Sequence, residues 1–194
     1  MKRYNIHIAD VTAAQEDITL AAAKSFLQLD DYDEEDDLIT ELIAASREYC
    51  EGFTKRLFIK REVVEYRDDY TDVYPIQQYI RSQCMQTYYP IAELTSIEYY
   101  IDDAKEAVSS SVYDSDLHGG TTVIMLNPGQ SWPVADQGPG KVILTYDSGY
   151  DETPKKGIIA QKKLIRTWYD ERYDGIRRHP SLVDNLLHSL IRYH

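Results

Sequence analysis

Leu38-Ile39-Thr40-Glu41-Leu42-Ile43-Ala44-Ala45-Ser46-Arg47-Glu48-Tyr49-Cys50 is the stretch on which the reading of the fold turns. Leu38, Leu42, Ala45 and Tyr49 recur beside Ile39, Ile43, Ser46 and Cys50 at helical spacing, the broad apolar stripe of a core-facing helix. Lys55 and Arg56 lie near its end. Seven acidic residues precede it: Asp30, Asp31, Asp33, Glu34, Glu35, Asp36 and Asp37, interrupted only by Tyr32. A helix dipole favours acids in the first turn and cations in the last, each by about 0.3–1 kcal/mol when partly exposed. Capping therefore accounts for the acidic run.

Upstream, Thr19 is placed to cap a shorter helix in which Leu20, Ala23, Phe26 and Leu27 share a face, ending near Asp30. Downstream the period changes. Segments 59–66, 94–101, 121–126 and 141–146 are short and β-branched or aromatic, which predicts strands. Pro75, Pro90, Gly119-Gly120, Asn127-Pro128-Gly129, Trp132-Pro133 and Gly138-Pro139-Gly140 separate them with turns or extended loops. Stretch 68–89 is polar and weakly periodic, open to reading as an ordered excursion or a loop.

Thr153-Pro154 then supplies a cap followed by proline at the first helical position. Ile158, Ile165, Trp168 and Tyr169 mark an inner face, with a one-turn gap at Lys162 and Lys163. After Gly175 and Pro180, Leu182, Leu186 and Leu190 run beside Val183, Leu187 and Ile191 as a last helix reaching His194, with capping-box-like spacing from Ser181 to Asp184. The expected architecture is α+β but mainly helical, a single domain over 1–194. An N-terminal helix pair (17–57) and C-terminal helices (153–193) form a small bundle, and a β-hairpin and loop-rich insertion (58–150) lies between them.

A chain of 194 residues is long enough to bury a core without staples. Its 33 acidic and 21 basic residues leave a net charge of -12. Sequence-independent DNA affinity comes from Lys and Arg on phosphates, so it should be poor here. No apolar run approaches the roughly 20 residues of a membrane span, which predicts a soluble protein with no membrane partner. Met1-Lys2-Arg3 opens with cations but no apolar stretch follows, so the chain reads as unexported. Cys50 and Cys84 fit two reduced thiols rather than a disulfide or zinc framework. Tyrosine is over-represented, 17 copies against 3 Phe and 2 Trp, which fits either protein interfaces or strand packing.

Catalytic signatures are missing. An EF-hand begun at Asp30 would put Glu35 where the loop needs glycine and Tyr32 at its third position. His7, His118, His179, His188 and His194 offer no helical zinc pair, and no Walker, G-x-S-x-G or G-x-G-x-x-G pattern occurs. No catalytic residue, metal or cofactor is expected.

Motif order adds a resemblance. Ile18-Thr19-Leu20-Ala21-Ala22-Ala23-Lys24-Ser25-Phe26-Leu27, the acid-rich turn, and Ile43-Ala44-Ala45-Ser46-Arg47-Glu48-Tyr49-Cys50-Glu51-Gly52-Phe53-Thr54 come first. Pro90-Ile91 with Leu94-Thr95-Ser96-Ile97-Glu98-Tyr99-Tyr100 follows, then Trp132-Pro133, Val142-Ile143-Leu144-Thr145-Tyr146-Asp147-Ser148-Gly149-Tyr150, Pro154 and Trp168-Tyr169-Asp170-Glu171-Arg172. Over roughly 17–193 this order resembles the head-tail connector (adaptor, head-completion) family of tailed bacteriophages. The segment 68–89 looks longer and more polar than that family's link, and the acidic run heavier.

The resemblance implies a structural virion protein made in the host bacterial cytoplasm, a ring of identical subunits numbering twelve to match the portal. The ring would sit in the neck between portal and stopper or tail-completion protein, and DNA would pass through it without sequence-specific binding. It makes 30–37 a candidate for lumen or rim charge, with a solvated helix start as the alternative. Portal docking falls to the C-terminal helix, here Leu186, Leu187, Leu190, Ile191, Arg192 and Tyr193, with core packing as the alternative. Tyr88, Tyr89, Tyr99 and Tyr100 become candidate inter-subunit aromatics. Three other readings compete. They are a different neck or tail-completion protein, a metal-dependent hydrolase using Asp33, Glu34, Asp36 and Asp37, and a DNA-binding regulator presenting Lys155, Lys156, Lys162, Lys163 and Arg166.

Overall fold

A computed structural model describes residues 5–70, 83–84, 90–118, 121–174 and 181–191. The chain forms two compact units, one of residues 1–9 and 60–149, the other of 10–59 and 150–194.

The first unit is a strand unit. β1 (Asn5–Ile8), β2 (Arg61–Arg67), β4 (Ile91–Ile101), β5 (Ala104–Ala107) and β8 (Val142–Ser148) form a five-stranded antiparallel sheet in the order β1-β2-β8-β4-β5. A three-stranded ladder, β3 (Gln83–Cys84), β7 (Thr121–Leu126) and β6 (Tyr113–His118), accompanies it. The expectation of a mainly helical chain with a hairpin and loop insertion is therefore corrected. Eight strands stand beside four α-helices among the described residues.

The sheet is central because β8 is buried nearly throughout, with Val142, Leu144 and Tyr146 all at most 0% exposed. Its other face is less covered, with Ile143 buried but Thr145 and Asp147 half-buried. Its partner β2 hides its period with charge. Val63, Glu65 and Arg67 share the face that opposes Tyr146, Leu144 and Val142 in register, so one carboxylate and one guanidinium lie where apolar residues belong. Glu65 accepts from Arg67 Nε at 3.1 Å and Nη2 at 2.5 Å, and its other oxygen accepts from the Tyr146 hydroxyl. A tyrosine-tryptophan cluster packs in the same unit. Tyr70 stacks on Trp132 at 4.9 Å, Tyr113 lies 6.2 Å from Trp132, and Tyr99 lies 6.4 Å from Tyr70. Part of the tyrosine excess is thus internal.

β4 and β5 are joined by Asp102-Asp103, both at positive φ (50° and 61°), the primed turn that matches strand twist. The Asp136 carboxylate accepts both turn N–H groups at 3.2 Å. Those donors hold its carboxyl below the ordinary range, Asp103 foremost.

The second unit is helical: α1 (Leu20–Leu27), α2 (Asp36–Thr54), α3 (Lys155–Asp174) and α4 (Ser181–His188). Thr19 caps α1 by accepting the Ala22 N–H at 3.2 Å, and Gln28 ends it in the left-handed region. α2 buries Ile39, Ile43 and Cys50, whereas Leu42 and Tyr49 are half-buried and Ala45 is exposed, so its stripe is narrower than its sequence implies. Phe26 is likewise corrected. It is 42% exposed, with Lys162 Nζ 5.9 Å from its ring, while Ala23 and Leu27 face inward.

α3 closes the apparent gap at Lys162 and Lys163 by burying Gly157, Ala160, Gln161 and Leu164. Two apolar clusters result. Ile18, Leu27, Ile39, Ile43 and Ile165 form one, and Cys50, Phe58, Ala160, Leu164, Val183 and Leu187 form the other. Gly157 fits the edge of the fully buried Phe58, since a β-carbon there would lie 2.8 Å from Phe58 Cε2. Gly157→Ala is therefore expected to cost about 1–3 kcal/mol by overpacking, against under about 1 kcal/mol gained in helix propensity. Thermal denaturation measures the sign. None of the described helices is long and apolar enough to cross a membrane.

Candidate functional site

The acidic run occupies the link between α1 and the first turn of α2. Asp36 and Asp37 fall in that first turn, where the dipole favours them. Lys24, only 6% exposed, reaches across from α1, touching Asp33 and lying 2.8 Å from Asp36. Hydrogen bonds to Asp33 and then Asp36 raise the pKa of its ammonium. Glu35 accepts the Tyr169 hydroxyl at 2.6 Å, and Tyr32 donates to Glu34 at 3.0 Å. Asp30, Asp31 and Asp37 are exposed.

These carboxylates divide between one lysine, two tyrosines and solvent, and so do not converge on a pocket as the hydrolase reading requires. Among the described residues no group of three or more His, Cys, Asp or Glu is placed to hold a metal. Cys50 is buried and its thiol is pushed up to about 12, first by burial, so it carries no nucleophilic thiolate at neutral pH.

A second, interior cluster joins the unit's elements. Arg47, 4% exposed, holds Glu16 through Nε at 3.1 Å and Glu51 through Nη1 at 2.9 Å. Glu51 also accepts the Phe58 N–H at 2.8 Å. Nearby, the Thr153 hydroxyl contacts Asp17 and lies 2.9 Å from the Phe58 carbonyl. Burial is the main cause raising both the Glu16 and the Asp17 carboxyl.

A pH dependence follows with a definite sign. Folded pKa values above the ordinary 4.5 of Glu16 and 3.8 of Asp17 mean that the fold binds more protons than the unfolded chain. The contribution is therefore present at low pH and is lost as pH rises through the folded values. The helical unit is expected to lose stability as pH rises above the ordinary carboxyl range, and Asp17→Asn to flatten that slope. Melting as a function of pH checks it.

α4 places the C-terminal candidates. Leu187 is fully buried in the apolar cluster, Leu190 packs against that cluster, and Leu186 and Ile191 are half-buried. The predicted helix to His194 is corrected, since α4 ends at His188 and residues 189–191 turn. Arg192 and Tyr193 lie outside the described residues, as do Tyr88 and Tyr89. Tyr99 is 9% exposed and donates to Glu106 at 3.0 Å, while Tyr100 carries Lys141 Nζ 5.1 Å from its ring centre.

On the solvent side of α3, Lys155, Lys156, Lys163 and Arg166 are exposed around Ile159, itself 47% exposed. Lys156 donates to Ser189 at 3.0 Å and Arg166 pairs with Asp170 at 2.9 Å. Sequence reasoning overlooked the bridging roles of Lys24, Arg47 and Tyr169. Lys24 to Asp33 and Asp36 was the only local signal, because the other partners are distant in sequence.

No protein-family profile matches the chain, and no curated protein does. Solved structures do. A chain in the neck of an empty gene transfer agent (GTA) particle, computed with C6 symmetry, has a TM-score of 0.77 at 16% identity, with 98% of this chain and 96% of that chain covered. A chain in the virion of a native GTA particle gives 0.76 at 16% identity, over 97% and 96%. One in the neck of a native GTA particle, computed with C12 symmetry, gives 0.68 at 18%, over 97% and 96%. The chain thus has the fold of chains found in GTA neck and virion particles.

Proposed function

We propose that this protein is a structural subunit of a virion neck. It assembles as a closed ring of identical copies, twelve in number, docked beneath the portal protein and followed by a stopper or tail-completion protein. DNA leaves the head through the ring. The protein is made in the host bacterial cytoplasm and resides in the particle.

The observation that carries this reading is the fold likeness, which spans nearly the whole of both chains. The independent motif order in the sequence supports the same family of necks. So does the net charge of -12, because a conduit must release phosphates rather than bind them.

Removing the gene from the phage or prophage that encodes it tests the proposal. The expected result is DNA-filled heads without tails, restored by the gene supplied in trans. Normal tailed particles from the deletion would overturn it.

A further inference from the structure

We infer that the lysine face of α3 is one half of a head-to-tail contact whose other half is the acidic link 30–37 of a second copy of this chain. The inference rests on the ring reading above. Residues 155, 156, 159, 163 and 166 lie within about a third of the helix circumference at 100° per residue, so they form one continuous surface. All are exposed.

Charge makes this surface unusual. Acids outnumber cations 33 to 21, so an exposed lysine in this chain should readily find a carboxylate. Among the described residues Lys155 and Lys163 have none, and Lys156 finds only the Ser189 hydroxyl. The opposite imbalance sits at 30–37, where Lys24 takes Asp33 and Asp36 while exposed Asp30, Asp31 and Asp37 keep no cation. Both surfaces belong to the helical unit, yet they do not neutralise each other within it.

A cyclic ring needs two different patches that complement each other between neighbours, and these two do so in sign. Ile159, in the middle of the lysines, is 47% exposed and would add apolar area to that contact. Such complementary charge sets register and partner choice more than raw affinity, and it weakens with salt.

Light scattering on the full chain, alone and with its portal protein, tests the contact through charge reversal. Lys155→Glu with Lys163→Glu should lower ring formation by about tenfold or more, and Asp30→Lys with Asp31→Lys should do the same. All four changes in one chain should restore assembly to within about threefold of wild type, since the complementarity is rebuilt with opposite sign. If the wild type assembles and neither reversal weakens it, the contact is wrong and the ring reading stands. A wild type that never assembles overturns both. If the lysine reversal abolishes binding to DNA fragments while leaving the ring intact, the face belongs to nucleic acid and the contact is overturned.

Discussion

Replacing Arg47 with methionine is expected to destabilise the helical unit by about 3–5 kcal/mol, the cost of leaving buried carboxylates without their cation. Glu16 and Glu51 are each 7% exposed at the side chain, so water cannot take the place of the guanidinium. Their separation in the chain makes the loss structural. Glu16 ends the segment before α1, and Glu51 fixes the Phe58 N–H past the end of α2. Arg47→Lys should recover only part of the loss, because an ammonium cannot reproduce the guanidinium fork that binds both acids. Arg166→Ala is the control. Its pair with Asp170 is 47% and 34% exposed, so it should cost under about 0.5 kcal/mol. Urea unfolding followed by helical circular dichroism separates these values.

The second large effect belongs to the strand unit. Glu65→Leu leaves Arg67 buried at 3% exposure beside the Tyr146 hydroxyl and is expected to cost about 3–5 kcal/mol. Adding Arg67→Leu should recover most of that loss, since two apolar side chains suit a face already built from Val63, Leu144 and Val142. Because the chain has two compact units, one unfolding midpoint would blur the result. Amide exchange read in β2 and β8 isolates it: protection should fall in Glu65→Leu and return in the double variant.

These polar interiors also explain what could be read from the sequence. The helices were legible because Thr19, Pro154 and the stripes through Ile39, Ile43 and Leu187 act locally. The Thr19 cap and the start of α3 appear where their residues place them. Four strands were legible as well, since the predicted segments 59–66, 94–101, 121–126 and 141–146 fall on β2, β4, β7 and β8, but the rest of the sheet and its pairing were not, because that evidence is spread over distant partners. β2 carries Glu65 and Arg67 on its buried face, β5 is exposed at every position, and the edge strand β1 is only four residues long. β6 reads Tyr-Asp-Ser-Asp-Leu-His, too polar to be called a strand until β7 is paired with it.

The surfaces show the same division. The clustering of acids at 30–37 was visible in the sequence, but not their allotment to Lys24 and Tyr169, the latter 134 residues away from Glu35. Tyr99 looked like display and lies inside, because alternation along β4 turns it towards Tyr70.

The central claim is a ring on a portal, and mass tests it most directly. Light scattering coupled to size exclusion, on the purified protein alone and mixed with the portal protein of the same genome, should show the portal complex gaining the mass of a ring of twelve copies. A portal whose mass is unchanged by this protein at every salt concentration would contradict it.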